Sequence, residues 1–277
     1  MTIAVKNNVL KDGSGIPIVL VHGFPVDHRM WSDCAEKLSD LVGDHPIWAP
    51  DMPGAGEGPI PDKEASGGMA EDGTFPHAMD LMAQSYVAMV RSAGFDKAIW
   101  VGLSMGGYLI LDIQRLFPEA VAALALCDTK ADADSEKTRM NRVEIAQQCE
   151  STGTYEPVMG FAQATESDSS IKQSDEYKRQ FTQWINEQPA SGIAWRERMA
   201  SGRPDLNDVL PQISVPVAVI CGDKDPSSPP AVMRPIAEAM TGTNAQLTVI
   251  DDCGHFSAYE HPTQVAKALS DLVNRVA

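Results

Sequence analysis

Six short apolar runs punctuate the chain, at residues 16–21, 45–49, 98–103, 121–127, 215–221 and 246–250. Most are rich in Val, Ile, Leu and Ala, do not alternate with polar residues, and are bounded by Gly, Pro or Asp. That pattern predicts strands, and the β-branched run 16–21 one covered on both faces, as in a parallel sheet. Between them, residues 75–93, 105–117 and 262–276 repeat apolar side chains at helical spacing; the first carries Met79, Met82, Ala83, Tyr86, Val87 and Val90 on one stripe. Strands alternating with helices imply βαβ crossovers, hence an α/β fold with a mainly parallel central sheet flanked by helices.

Two stretches break this rhythm. Residues 54–74 are rich in Gly, Pro, Asp and Glu and predict a long surface loop. Residues 131–205 contain no strand pattern, whereas 135–150, 174–187 and 193–200 have helical character, with Ser135 and Ser174 as N-caps. A helical insertion between two sheet strands follows.

Charge narrows the partners. With 22 Lys and Arg against 38 Asp and Glu, the net charge of −16 repels phosphate backbones, so no nucleic acid is expected. The apolar runs fall far short of the roughly 20 residues needed to span a bilayer, and the first residues lack the basic and apolar regions of a secretory signal, so a cytoplasmic protein with no membrane partner is expected. Five scattered cysteines, without a C-x-x-C pair, read as free thiols.

The sharpest chemical signal is Gly102-Leu103-Ser104-Met105-Gly106-Gly107, a G-x-S-x-G string that directly follows a predicted strand and precedes a predicted helix. There the serine stands on a tight turn and the first helical amides face the substrate. A serine hydroxyl needs a base, and His255 lies just beyond the last predicted strand, in Gly254-His255-Phe256. The imidazole needs an acid to orient it. Asp225, in Gly222-Asp223-Lys224-Asp225, is the first choice, with Asp223 as the alternative. Asp128 is a stand-in acid, expected otherwise to cap the start of the insertion. His22-Gly23-Phe24-Pro25 ends the first predicted strand. Its Phe24 amide and the Met105 amide are the candidate oxyanion donors, and His22 is expected to brace the loop. Trp31 is expected to pack behind that loop and Trp184 and Trp195 to face substrate or core; these three and Arg142 are the candidate substrate-binding residues, and Met52 and Met69 are candidate channel residues. Neither H-E-x-x-H nor a phosphate-binding G-x-x-x-x-G-K-[ST] string occurs, so the reading calls for no metal and no cofactor.

On these motifs the chain resembles the α/β-hydrolase family over nearly its whole length: H-G-F-P, D-M-P-G-A-G at 51–56, G-L-S-M-G-G, G-D-K-D and G-H stand in family order. Within it, the chain is similar to small esterases, 3-oxoadipate enol-lactonases and cofactor-free perhydrolases. The resemblance implies a core of residues 1–127 and 206–277, with a helical cap at 128–205 over the site. It also implies hydrolysis of a small-molecule ester or lactone by Ser104, Asp225 and His255. A lactonase needs a cation for its substrate carboxylate, for which Arg142, Arg196 and Arg198 are candidates, although cap arginines are more often solvated. Perhydrolysis and a non-enzymatic ligand receptor are the other readings; a haloalkane dehalogenase is disfavoured by Ser104 where an aspartate is required. Relatives commonly carry serine where this chain has Gly58, and few have so long an acidic loop.

Overall fold

Seven strands form one sheet in the order β1-β3-β2-β4-β5-β6-β7. They are β1 (Val9–Lys11), β2 (Ile18–Val21), β3 (Ile47–Trp48), β4 (Ala98–Leu103), β5 (Val121–Cys127), β6 (Val217–Gly222) and β7 (Gln246–Ile250). The computed structural model describes residues 3–276. All neighbours run parallel except β1, which pairs antiparallel with β3. Every residue of β2, β4, β5 and β6 is buried, as expected of strands covered on both faces. At about 1.5–3 kcal/mol per buried Val, Leu or Ile side chain, these strands supply much of the hydrophobic stabilisation.

The predicted strands are all present, three with the expected limits. The predicted runs 16–21 and 215–221 begin later, at Ile18 and Val217, because Pro17 and Pro216 have no N–H to give a ladder. The run 45–49 contracts to Ile47–Trp48. Strand β1 was not among the predicted elements: it is three residues long and leaves Val9 and Leu10 exposed, so it carries neither alternation nor a continuous buried run.

Helices α1 (Ser32–Ser39), α2 (Ala78–Ser92) and α3 (Met105–Leu116) follow β2, β3 and β4. The predicted stripe of α2 is buried at Met79, Met82, Ala83, Tyr86, Val87 and Val90. Between β5 and β6 the chain is helical without a strand: α4 (Glu136–Thr152), a 3-10 segment at Glu156–Ala162, α5 (Ser170–Gln173), α6 (Asp175–Glu187) and α7 (Ala190–Ser201). Ser135 and Ser174 cap α4 and α6 as predicted, accepting the amides of Thr138 and Tyr177. Helices α8 (Pro230–Ala239), α9 (Ser257–Glu260) and α10 (Pro262–Val273) complete the chain. Among the described residues, no helix is long and apolar enough to cross a membrane.

Residues 54–74 form turns without helix or strand, as expected, but the loop is anchored against α7. Buried Ser66 accepts the Trp195 indole N–H at 2.8 Å, and a Cβ on Gly54 would lie 2.3 Å from the Gly192 Cα. The expectation of solvated arginines on the insertion is corrected. Arg196 is fully buried and donates to the Val26 and Pro25 carbonyls, and buried Arg198 donates to Gly73 O and pairs with Glu150. Trp195 and Arg198 thus tie α7 to the long loop and Arg196 ties it to the segment after β2, contacts that no hydrophobic pattern announces.

Candidate active site

Four turns at the carboxyl ends of β4, β5, β6 and β7 carry Ser104, Asp128, Asp225 and His255. Parallel strands bring these distant residues to one rim. Ser104 holds φ 54° and ψ −112°, a conformation that costs a side-chain-bearing residue of order 1–3 kcal/mol and persists only where the surroundings enforce it. The Ser104 N–H donates to Cys127 O at 2.9 Å, and its carbonyl accepts the Thr129 hydroxyl at 2.7 Å. The flanking glycines let the backbone close up: a Cβ on Gly102 would lie 2.3 Å from Gly106 O, and one on Gly106 the same distance from Val21 O.

The hydroxyl of Ser104 lies 2.8 Å from His255 Nε2, and His255 Nδ1 lies 2.9 Å from Asp225 Oδ2. Asp225 also accepts the Ser228 hydroxyl and, at 2.8 Å, the Ser227 amide. Asp223, the alternative acid, faces elsewhere and accepts the Cys253 amide at 3.2 Å. Burial works against ionised Asp225, but the His255 charge and these hydrogen bonds outweigh it and hold the carboxyl below its ordinary range. Burial also disfavours protonated His255, yet the Asp225 charge and hydrogen bond, with Asp128 and Glu260 behind them, raise its pKa.

Asp128 has another place than capping the insertion. Fully buried, it accepts the amides of Gly222 and Ser257, both at 3.1 Å, and so ties the Asp225 turn to the His255 turn. Burial, reinforced by the nearby Asp225 charge, pushes its carboxyl up to about 8. The surroundings of the two aspartates thus act in opposite directions, and those of Asp225 favour the ionised form that an orienting acid requires.

Phe24 and Met105 line the same cavity as Ser104 and His255. Among the described residues, neither backbone N–H has a protein hydrogen-bond partner. His22 braces this loop: its Nε2 accepts the Met52 amide at 2.9 Å, while Nδ1 donates to the Gly23 carbonyl at 2.9 Å. Burial lowers its pKa to about 4, so at neutral pH the ring is neutral, as an Nε2 acceptor must be.

The cavity measures about 340 Å³, at the small end for small-molecule sites. Its walls come from the sheet rim and from the insertion, which supplies Arg142, Phe161, Lys172 and Tyr177. Of the four predicted substrate-facing residues only Arg142 reaches it, with Nε and Nη1 donating to Asp134 and Glu197 at 2.6 and 2.7 Å. Trp31 is wholly buried. Trp184 packs on Phe181 and Tyr259, and Trp195 lies beside Phe75. Met52 is buried, and Met69 borders a separate surface recess, so neither lines this cavity.

Sequence reading missed Glu260, whose carboxylate accepts the amides on both sides of His255, Gly254 at 2.7 Å and Phe256 at 3.3 Å. The available signal was a lone acid closing the mostly apolar stretch Phe256-Ser257-Ala258-Tyr259. It also missed a grouping of Asp27, His28 and Asp51 whose ligand-type atoms lie within 4.8 Å of one another. Those atoms are engaged by the chain itself: Arg29 and Gln188 donate to Asp27, and His28 and Asn8 donate to Asp51.

The chain is similar to a malate-bound thermophilic esterase from Thermogutta terrifontis, with 31% identity and a TM-score of 0.83 over 99% of this chain and 93% of that one. It is 25% identical to a pimeloyl-[acyl-carrier protein] methyl ester esterase from Xanthomonas oryzae pv. oryzae, over 95% of this chain and 97% of the relative. It is 27% identical to the dihydrolipoyllysine-residue acetyltransferase component of the acetoin cleaving system from Pseudomonas putida, over 91% of this chain but spanning only 61% of that protein. The model of the alpha/beta hydrolase family matches residues 18–268. Sheet order, rim geometry and this match together place the chain in the alpha/beta hydrolase family.

Proposed function

We propose that the protein hydrolyses a carboxylic ester of a small or medium acid through an acyl-enzyme on Ser104. The observation that carries this reading is the continuous chain from Ser104 Oγ through His255 to Asp225, at 2.8 and 2.9 Å, beside two unengaged amides. Likeness to esterases supports the ester as substrate.

In the first step Ser104 Oγ attacks the ester carbonyl while its proton passes to His255 Nε2. The Nδ1–H stays on the imidazolium and is held by Asp225. Negative charge forming on the carbonyl oxygen is received by the Phe24 and Met105 amides, and removing one such donor typically costs about 10²–10³ in turnover. Collapse of the tetrahedral species breaks the bond to the alcohol, which leaves with the proton from Nε2. Water then gives a proton to Nε2, attacks the acyl-enzyme, and releases the acid with regeneration of Ser104. Residues 128–205 act as a cap that shapes the acyl and alcohol pockets, since both the cap and the sheet rim line the cavity. The Ser104→Ala protein should stay folded and lose hydrolysis of p-nitrophenyl butyrate; full retained turnover would end the proposal.

A second reading, lactone hydrolysis by the same residues, is favoured by one observation. Arg142 stands in the cavity wall with Nε and Nη1 paired, while among the described residues Nη2 has no protein partner and is free to meet a carboxylate. Assay of an enol-lactone beside simple esters separates the two.

A further inference from the structure

The backbone that presents His255 is held by a buried carboxylate that also reaches into the insertion. Glu260 is 3% exposed. Its Oε2 accepts the Gly254 amide at 2.7 Å and the Ser169 hydroxyl, and its Oε1 accepts the Phe256 amide at 3.3 Å. A Cβ on residue 254 would lie 2.8 Å from Oε1, so the carboxylate needs glycine there to come this close. Ser169, wholly buried, is the N-cap of α5 and accepts the Lys172 amide at 3.0 Å. Lys172 in turn lines the cavity. Beside this contact, the exposed Ser170 donates its hydroxyl and, at 3.1 Å, its backbone N–H to Asp252. Insertion and base are therefore joined through one buried anion with three donors.

We propose that Glu260 is a positioning residue that couples the insertion to the catalytic base, with Ser169 as the link on the insertion side. Its two amide contacts fix the backbone on both sides of His255. Its contact with Ser169 makes that backbone answer to the placement of α5, and so to whatever fills the cavity beside Lys172. The proposal rests on the reading of His255 as the base of an ester hydrolase.

Three carboxylates act electrostatically on His255, namely Asp225, Asp128 and Glu260. Replacing Glu260 by Gln removes one negative charge and turns amide hydrogens toward amide donors. The His255 ring should then titrate at lower pH than in the wild type. The kcat for p-nitrophenyl butyrate and the rate of Ser104 labelling by a fluorophosphonate should fall by about 10- to 100-fold, the scale for a misplaced reacting group, with KM little changed. Ser169→Ala keeps the charge and removes the link, together with the cap on the Lys172 amide. It should slow labelling several-fold, in the manner of a base shifted rather than lost, while His255 titrates as in the wild type. Ser170→Ala, at the exposed neighbouring contact, should match the wild type.

Glu260→Asp retains the charge on a shorter stem and should restore the titration more fully than the rate; it also serves if Glu260→Gln does not fold. A wild-type titration and labelling rate in folded Glu260→Gln would overturn the positioning role. Wild-type labelling in Ser169→Ala would overturn the coupling to the insertion. If the wild type turns over no ester, yet Glu260→Gln still shifts the titration and slows labelling, the ester reading alone falls.

Discussion

Asp128 accepts the amide of Ser257, two residues beyond His255, at 3.1 Å, and does so from a fully buried position at the end of β5. With its other oxygen on the Gly222 amide, it fastens the acid turn to the base turn. Asp128→Asn keeps the shape but sets an NH₂ group against one of two N–H donors. A buried donor left unsatisfied costs about 1–3 kcal/mol, so the urea midpoint should fall accordingly, and ester turnover should fall with it. An unchanged midpoint would contradict the fastening role.

The raised pKa of His255 fixes the acid limb of activity. Only the neutral ring can take the Ser104 proton, so kcat/KM should rise with pH through a midpoint above the ordinary histidine value of 6.5. Asp225 is the largest favourable influence on the protonated ring. Asp225→Asn should therefore move the midpoint down as well as depressing the rate. A midpoint that stays in place would separate Asp225 from the base.

Stability in acid should be governed in part by His22. Its folded-state pKa of about 4 lies below the unfolded value of 6.5, because burial favours the neutral ring. The sign follows: the neutral form stabilises the fold above pH 6.5, and that contribution is lost as pH falls toward 4. The shift corresponds to about 3 kcal/mol as an order of magnitude. His22→Gln removes the titration and should flatten the stability curve between these pH values, as read by denaturant melts.

The lactone reading gives Arg142 a recognition role beside its structural one, and the two separate by measurement. Its removal leaves Glu197, 4% exposed at the side chain, without its ion-pair partner, whereas Asp134 keeps Arg203 at 2.8 Å. Breaking a buried pair costs about 3–5 kcal/mol, so Arg142→Met should melt earlier and Glu197→Gln in the same protein should recover part of the loss. In the recovered double variant, turnover of an ester bearing a carboxylate should fall relative to its neutral counterpart. Equal effects on both esters would deny Arg142 a part in recognition.

Much of the site was legible because its signals are local. Ser104 and Asp225 each follow a buried apolar run, His255 follows the edge strand β7, and the glycines around Ser104 mark the close approach that its turn requires. The roles of Asp128, Glu260 and Arg196 were not legible. Each is a charged side chain whose partners lie far off in sequence or are backbone atoms, so neither periodicity nor spacing records the contact. For the same reason Trp184 and Trp195, large aromatics on the insertion, could not be assigned to cavity or core from their own segments.

Apolar runs of strand length, stripes at helical spacing and turn residues between them determined an α/β sheet and the order of its elements, because these patterns reflect burial of each element on its own. The choice between Asp225 and Asp223 for the imidazole, and which candidate arginine reaches the cavity, were decided only by tertiary structure. Those outcomes depend on the relative placement of four turns and an insertion, set by packing between segments that are remote in the chain.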